Sequence, residues 1–178
     1  MRRAARLACS LAWVVLLALP AGAGQRRDPL SDVETDQLRE AALEPQLKLK
    51  LLLQFAGNRL ESAEKLRAEG QAGPGRGQQI HDLLEDFDTL VDEIGDNVDS
   101  YASRNEDLRK PLGKIIKACN DFSARLREFQ AAASATPEAA KESKAYKFVL
   151  QDAIDSVEDG LQGAQQLLTE QKEQFKNK

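Results

Sequence analysis

The sequence predicts an all-α fold: an elongated antiparallel bundle of three long helices, or four if the middle one breaks, with coiled-coil-like packing. Two observations predict it. Apolar side chains recur at Ile80, Leu84, Phe87, Val91, Ile94, Val98 and Tyr101, skip Asn105, and resume at Leu108, Leu112, Ile115, Cys119, Phe122, Leu126 and Phe129. The interval alternates between four and three, a period that an α-helix gathers onto one narrow stripe and a strand cannot use. Composition agrees with this. Of 178 residues, 42% are hydrophobic and 30% charged, as in an ordinary globular chain, but aromatic residues are only 5% and glycine and proline are sparse.

The chain opens with a targeting pattern, residues 1–23. Met1 to Arg6 is basic, Leu7 to Leu19 is apolar, and Ala21-Gly22-Ala23 offers small residues for cleavage. The apolar run is too short to span a bilayer, since thirteen helical residues cover about 20 Å of a ~30 Å hydrocarbon core. Cys9 precedes most of that run, whereas a lipid-bearing cysteine should follow it. The expected product starts at Gly24, is exported to the periplasm or medium, has no integral membrane span, and folds as a single helical-bundle domain over residues 24–178. Loss of Arg2, Arg3 and Arg6 leaves 22 basic residues against 29 acidic ones. A product carrying a net charge of −7 has no general attraction for nucleic acid or anionic lipid.

The first helix should start at Ser31, where Ser31 and Glu34 form a capping box. Pro45 either kinks it or begins a second segment running to about Glu69, because proline fits the first turn of a helix. From Leu47 to Leu66 the apolar stripe is wide, so packing on two sides is expected. The stretch Glu34-Thr35-Asp36-Gln37-Leu38-Arg39-Glu40-Ala41, followed by Pro45, Leu47-Lys48-Leu49 and Phe55-Ala56-Gly57-Asn58-Arg59-Leu60, is similar to the opening helix of a group of exported bacterial proteins of unknown function. That resemblance implies helix and export and brings no activity with it.

Gly70 to Gly77 is the clear break in the chain. It lacks the preceding strand and the Lys-Ser or Lys-Thr ending of a phosphate-cradling loop, so it reads as a turn between antiparallel helices. The seam follows. Residues 80–107 carry ten acids against Arg104, whereas 108–128 carry six bases against Asp121 and Glu128. Antiparallel to the first helix, the acidic half would meet 45–69 (five bases, three acids) and the basic half 31–44 (five acids, one base). Pro111 would normally end or kink a helix, yet the seam keeps its phase from Leu108 to Ile115, which favours one kinked helix over a break near Arg104 to Lys110. Asn105 either fixes register in the seam or marks where it opens.

Thr136-Pro137-Glu138 starts the last helix with a cap, a first-turn proline and an acid at the positive end. It should run to about Phe175, with Gly160 and Gly163 either permitting close helix approach or simply tolerated. The three helices are then 31–69, 78–130 and 138–175. The middle one, about 80 Å long at 1.5 Å per residue, outruns its neighbours and leaves the seam around Leu126 and Phe129 uncovered for a partner.

No catalytic, cofactor-binding or metal-binding residues are assigned, and no cofactor is expected. His81 is the single histidine, which leaves no pair for zinc and no Glu-x-x-His motif for di-iron; with Glu85 it reads as a surface pair. Glu85, Asp88, Asp92, Asp96 and Asp99 form an acidic face, read as solvated for want of any geometry that could wrap an ion. Cys119 reads as a small apolar core residue. The expected function is that of a non-enzymatic scaffold or protein-interaction module of the cell envelope. Its partner would be another protein or a second copy of the chain, held along the apolar seam. The alternative is an envelope cation binder or sensor using the acidic face.

Overall fold

In a computed structural model, which describes residues 27–69 and 73–176, the chain is helical with no strand among the described residues. The expected leader (residues 1–23), Cys9 and the expected Gly24 start lie outside those residues. Six α-helices follow one another: α1 (Asp32–Glu40), α2 (Pro45–Ala68), α3 (Arg76–Ser103), α4 (Arg109–Ala133), α5 (Pro137–Glu142) and α6 (Lys147–Gln174), with a 3-10 turn at Ser143–Ala145. None is long and apolar enough to cross a membrane.

The helix starts follow local chemistry. The Ser31 hydroxyl accepts from the Glu34 amide while the Glu34 carboxylate accepts from the Ser31 amide, so the expected capping box is present. Pro45 occupies the first turn of α2 and separates it from α1, so residues 31–69 form two helices rather than one. Thr136 caps α5 through the Ala139 amide.

The expected helix over 78–130 is divided. α3 ends at Ser103, and Asn105 adopts the left-handed conformation with φ of 58°. The Asn105 amide donates to Ala102 O and the Glu106 amide to Tyr101 O, the two reversed bonds of a Schellman stop. Asparagine enters that conformation more readily than most residues because its short amide can bond locally. Pro111 then falls at the third position of α4, inside the first turn, where a missing N–H breaks no helical bond. The kink expected at Pro111 is therefore replaced by a turn at 104–108. Spacing could not tell the two apart: Tyr101 to Leu108 is one heptad, and the turn consumes it without shifting either stripe.

Gln171 of α6 secures that turn. Its side chain is buried, accepts from the Leu108 amide at 2.7 Å and donates to Glu106 O at 2.9 Å. Arg109 also donates to Phe175 O at 3.2 Å. Backbone groups left unpaired between two helices are thus satisfied by a third, distant in sequence.

Doubling back brings the two halves of the seam face to face. Phe87 and Phe122 meet edge to face at 5.3 Å between centroids, and Leu126 and Phe129 are buried. The expected uncovered seam end is consequently internal. α2 packs on α3, α4 on α6 and α3 on α6, with lighter contact between α2 and α4. Thus α3 and α6 lie side by side, and α4 is paired mainly with α6. The predicted charge matching holds for α2 against α3, where Lys48 meets Glu93 at 3.7 Å and Arg59 meets Asp86 at 3.7 Å. It does not hold for α4 against 31–44: Arg125 pairs with Glu64 of α2 and Arg127 with Glu158 of α6.

The last predicted helix, 138–175, is also interrupted. Glu142 accepts two bonds of 2.7 Å from Arg76, and buried Tyr146 packs edge-on against Phe129 at 5.8 Å. A Cβ on Gly77 would meet Ala145 Cβ at 3.0 Å, so this corner closes because residue 77 has no side chain.

Candidate functional site

Between α3 and α6 lies a groove of about 390 Å³. Val91, Ile94 and Val98 of α3, Ala164 and Leu167 of α6, and Ile115, Cys119 and Phe122 of α4 line it, with Leu53 of α2. Most of these side chains are buried, so the inner wall is apolar. Asp99, Asp159, Gln166 and Glu170 are exposed and occupy its mouth, and no basic side chain lines it.

Three of the positions that line the groove are glycine. Nothing lies within 4 Å of where a Cβ would stand at Gly95, Gly160 or Gly163. Of the two readings of Gly160 and Gly163, close helix approach does not apply, because these residues leave space instead of admitting a neighbour, which accords with glycine simply tolerated in the helix. A helix interior normally loses roughly 1 kcal/mol per glycine relative to alanine, so their cost must be offset by packing elsewhere.

Acidic groups crowd the same side of the molecule. Asp88 is partly buried close to Ser156 of α6; burial pushes its carboxyl above the usual range, Ser156 offsets part of that, and Asp92, Asp152 and Glu85 push it further up. Burial and then Asp96 push Asp92 up as well. The face read from sequence as Glu85, Asp88, Asp92, Asp96 and Asp99 is thus one wall of a two-helix arrangement, with Asp152 and Asp159 contributed by α6. No sequence pattern on α3 alone could have shown the second wall.

Cys119 sits on the apolar wall of the groove, buried, with its thiol pushed up to about 11 by burial. At neutral pH it is therefore protonated, which fits a packing residue rather than a nucleophile. His81 lies outside the groove. Its Nδ1 stands 3.5 Å from Asp82 Oδ1, and candidate ligand atoms of His81, Asp82 and Glu85 fall within 4.8 Å of one another. Arg27 reaches the same spot, donating to Asp82 O at 3.1 Å and to Asp86 at 2.7 Å, so positive charge is already provided there.

A second polar cluster joins α1, α2 and α3. Arg59 donates to Glu34 at 2.5 and 3.1 Å and to Pro29 O at 2.8 Å, and Asp86 is shared with Arg27. Burial would raise Glu34, but the bonds from Arg59 and Ser31 outweigh it and hold that carboxyl below its ordinary range. Asp86 goes the other way, burial outweighing Arg27 and Arg59. This cluster ties α1 down onto α2 and α3.

Fold and groove together define a class: a protein all-helical over its described residues, with an acid-rimmed, apolar-walled cleft between two neighbouring helices. No family model, no curated protein and no solved structure matches the chain.

Proposed function

We infer that this chain is an exported, non-enzymatic binding module: an antiparallel bundle of four long helices with coiled-coil-like packing that holds an apolar group of a partner between α3 and α6. One observation carries the reading. Three glycines keep open a cleft whose inner wall is apolar, at a place where larger side chains would have closed the core. Export to the cell envelope is supported by the basic, apolar and small-residue segments of residues 1–23. The binding face moves from the seam end at Leu126 and Phe129, which the molecule buries within itself, to this groove, whose wall is the middle of the same seam.

Cys119 supplies a reporter for occupancy. Protein purified from the envelope is labelled with a small thiol reagent before and after removal of bound material by unfolding and refolding, and Gly163→Leu is treated in parallel. Slower labelling of the native wild type than of its stripped form, together with a bound mass in native mass spectrometry that Gly163→Leu lacks, supports the reading. Equal labelling rates and identical masses would refute it. Intact mass of the same sample tests export, with Gly24 as the expected first residue.

A further inference from the structure

The charge distribution around the groove specifies its ligand more narrowly, and this step rests on the binding reading above. Asp99, Asp159 and Glu170 stand at the mouth, with no basic side chain among the lining residues to balance them. Asp88, Asp92 and Asp96 add to the same field from α3. An anionic ligand would enter against all of these charges, and a neutral one would leave them uncompensated. A small hydrated metal ion matches the rim but not the apolar wall. The acids are also too dispersed to converge on one ion: Asp159 and Glu170 are separated by roughly 16 Å along α6 at 1.5 Å per residue.

What satisfies both surfaces is a molecule with an apolar body and a cationic head. We propose that the α3–α6 groove binds a small amphipathic amine, its hydrocarbon part against Val98, Ile115 and Cys119 and its ammonium at the Asp99 and Glu170 end of the mouth. The volume, about 390 Å³, lies within the range of small-ligand sites and is small for a protein helix. Carboxylates beside an apolar wall bind an alkylammonium more strongly than they would in open water, because the wall lowers the local dielectric and excludes competing solvent.

The test uses three probes of one shape and different charge, decylammonium, decanol and decanoate, each titrated below its micellar concentration into the protein by calorimetry. Decylammonium is expected to bind one to one and at least about tenfold more tightly than decanoate, a preference that added salt weakens. Asp99→Asn combined with Glu170→Gln should remove most of that preference and leave decanol binding unchanged. Gly163→Leu, whose Cβ would meet nothing within 4 Å and which should melt cooperatively like the wild type, should abolish binding of all three. Decanoate binding as tightly as decylammonium, with both lost in Gly163→Leu, would overturn the cationic ligand and leave the groove standing as a binding site. Binding that Gly163→Leu does not alter, or no binding by any probe, would overturn both. Displacement of decylammonium by equimolar Ca²⁺ would also overturn the proposal, since it would make the rim an inorganic cation site.

Discussion

α3 passes from a sealed half into an open one. Ile80, Leu84, Phe87 and Leu90 are fully excluded from solvent, whereas Val91, Ile94 and Val98 retain 8, 5 and 7% of their surface. The helix is equally apolar on both sides of that boundary, so its own stripe does not explain the change. α6 does: it contributes Val149, Leu150, Ala153, Ile154 and Val157 early on, then Gly160, Gly163 and Ala164. Because α3 and α6 run side by side in the same sense, with Asp88 close to Ser156 and the groove spanning Val91–Val98 and Asp159–Glu170, the second half of α3 faces Gly160, Gly163 and Ala164, which carry almost no side chain, with Leu167 beyond them. A stripe is buried completely only if the facing helix supplies volume to meet it.

The largest test of that contrast is a truncation in the sealed half. Phe87→Ala removes a ring packed edge-on against Phe122 with no space to relax into, and should cost roughly 3–5 kcal/mol in chemical unfolding. Ile94→Ala, beside the groove, should cost about 2 kcal/mol, the low end for its type, because part of its surround is already open. Equal losses at the two sites would mean that the groove is packed shut in solution.

Glycines sharpen the comparison because the same substitution should change sign between the halves. Gly77→Ala forces a new methyl to within 3.0 Å of Ala145 Cβ at the closed corner and should destabilise by about 1–2 kcal/mol. Gly163→Ala meets nothing within 4 Å and should raise stability by roughly 0.5–1 kcal/mol, through helix propensity and a less flexible unfolded chain. Thermal melts of the two variants should shift in opposite directions. A loss at Gly163→Ala would place an unseen neighbour in the groove.

The smallest effect is electrostatic. Asp92 titrates above its ordinary value of 3.8 in the fold, chiefly through burial and then Asp96. A carboxyl raised on folding opposes the fold while ionised, so stability recovers as pH falls through the raised value, and recovery is complete below the unfolded one. Asp92→Asn should therefore be the more stable protein at pH 7, by at most about 0.5 kcal/mol, with the gap closing towards pH 4. Glu142 supplies the opposite sign in the sealed half: Arg76 holds it below its ordinary 4.5 against the opposing effect of burial. Its contribution is present above that value and lost as pH falls through the lowered one, so Glu142→Gln should be the less stable protein at pH 7 and converge with wild type in acid. Melting temperatures across pH 3–7 check both.

Legibility followed the range of the interaction. Ser31, Pro45 and Thr136 could be read as helix starts because their partners lie within a few residues. Gly160 and Gly163 were visible as unusual, but whether glycine draws a neighbour close or leaves a gap depends on what stands opposite. The acidic face on α3 was equally visible, while the place of its last member, Asp99, at the mouth of a groove was not, since Asp159 and Glu170 lie sixty and seventy-one residues further along the chain.

By itself the sequence determined helix content and the inward face of each long helix, both consequences of side chains three and four apart on one backbone. Tertiary structure alone decided where the seam folds back, which helices become neighbours and where the core stays open. The turn at 104–108 depends on Gln171 reaching the Leu108 amide across sixty-three residues of chain, and the groove on three glycines set against an apolar wall built by other helices. Periodicity reports the face a helix turns inward. What meets that face is fixed only when distant segments share one volume and every buried polar group among them finds its partner.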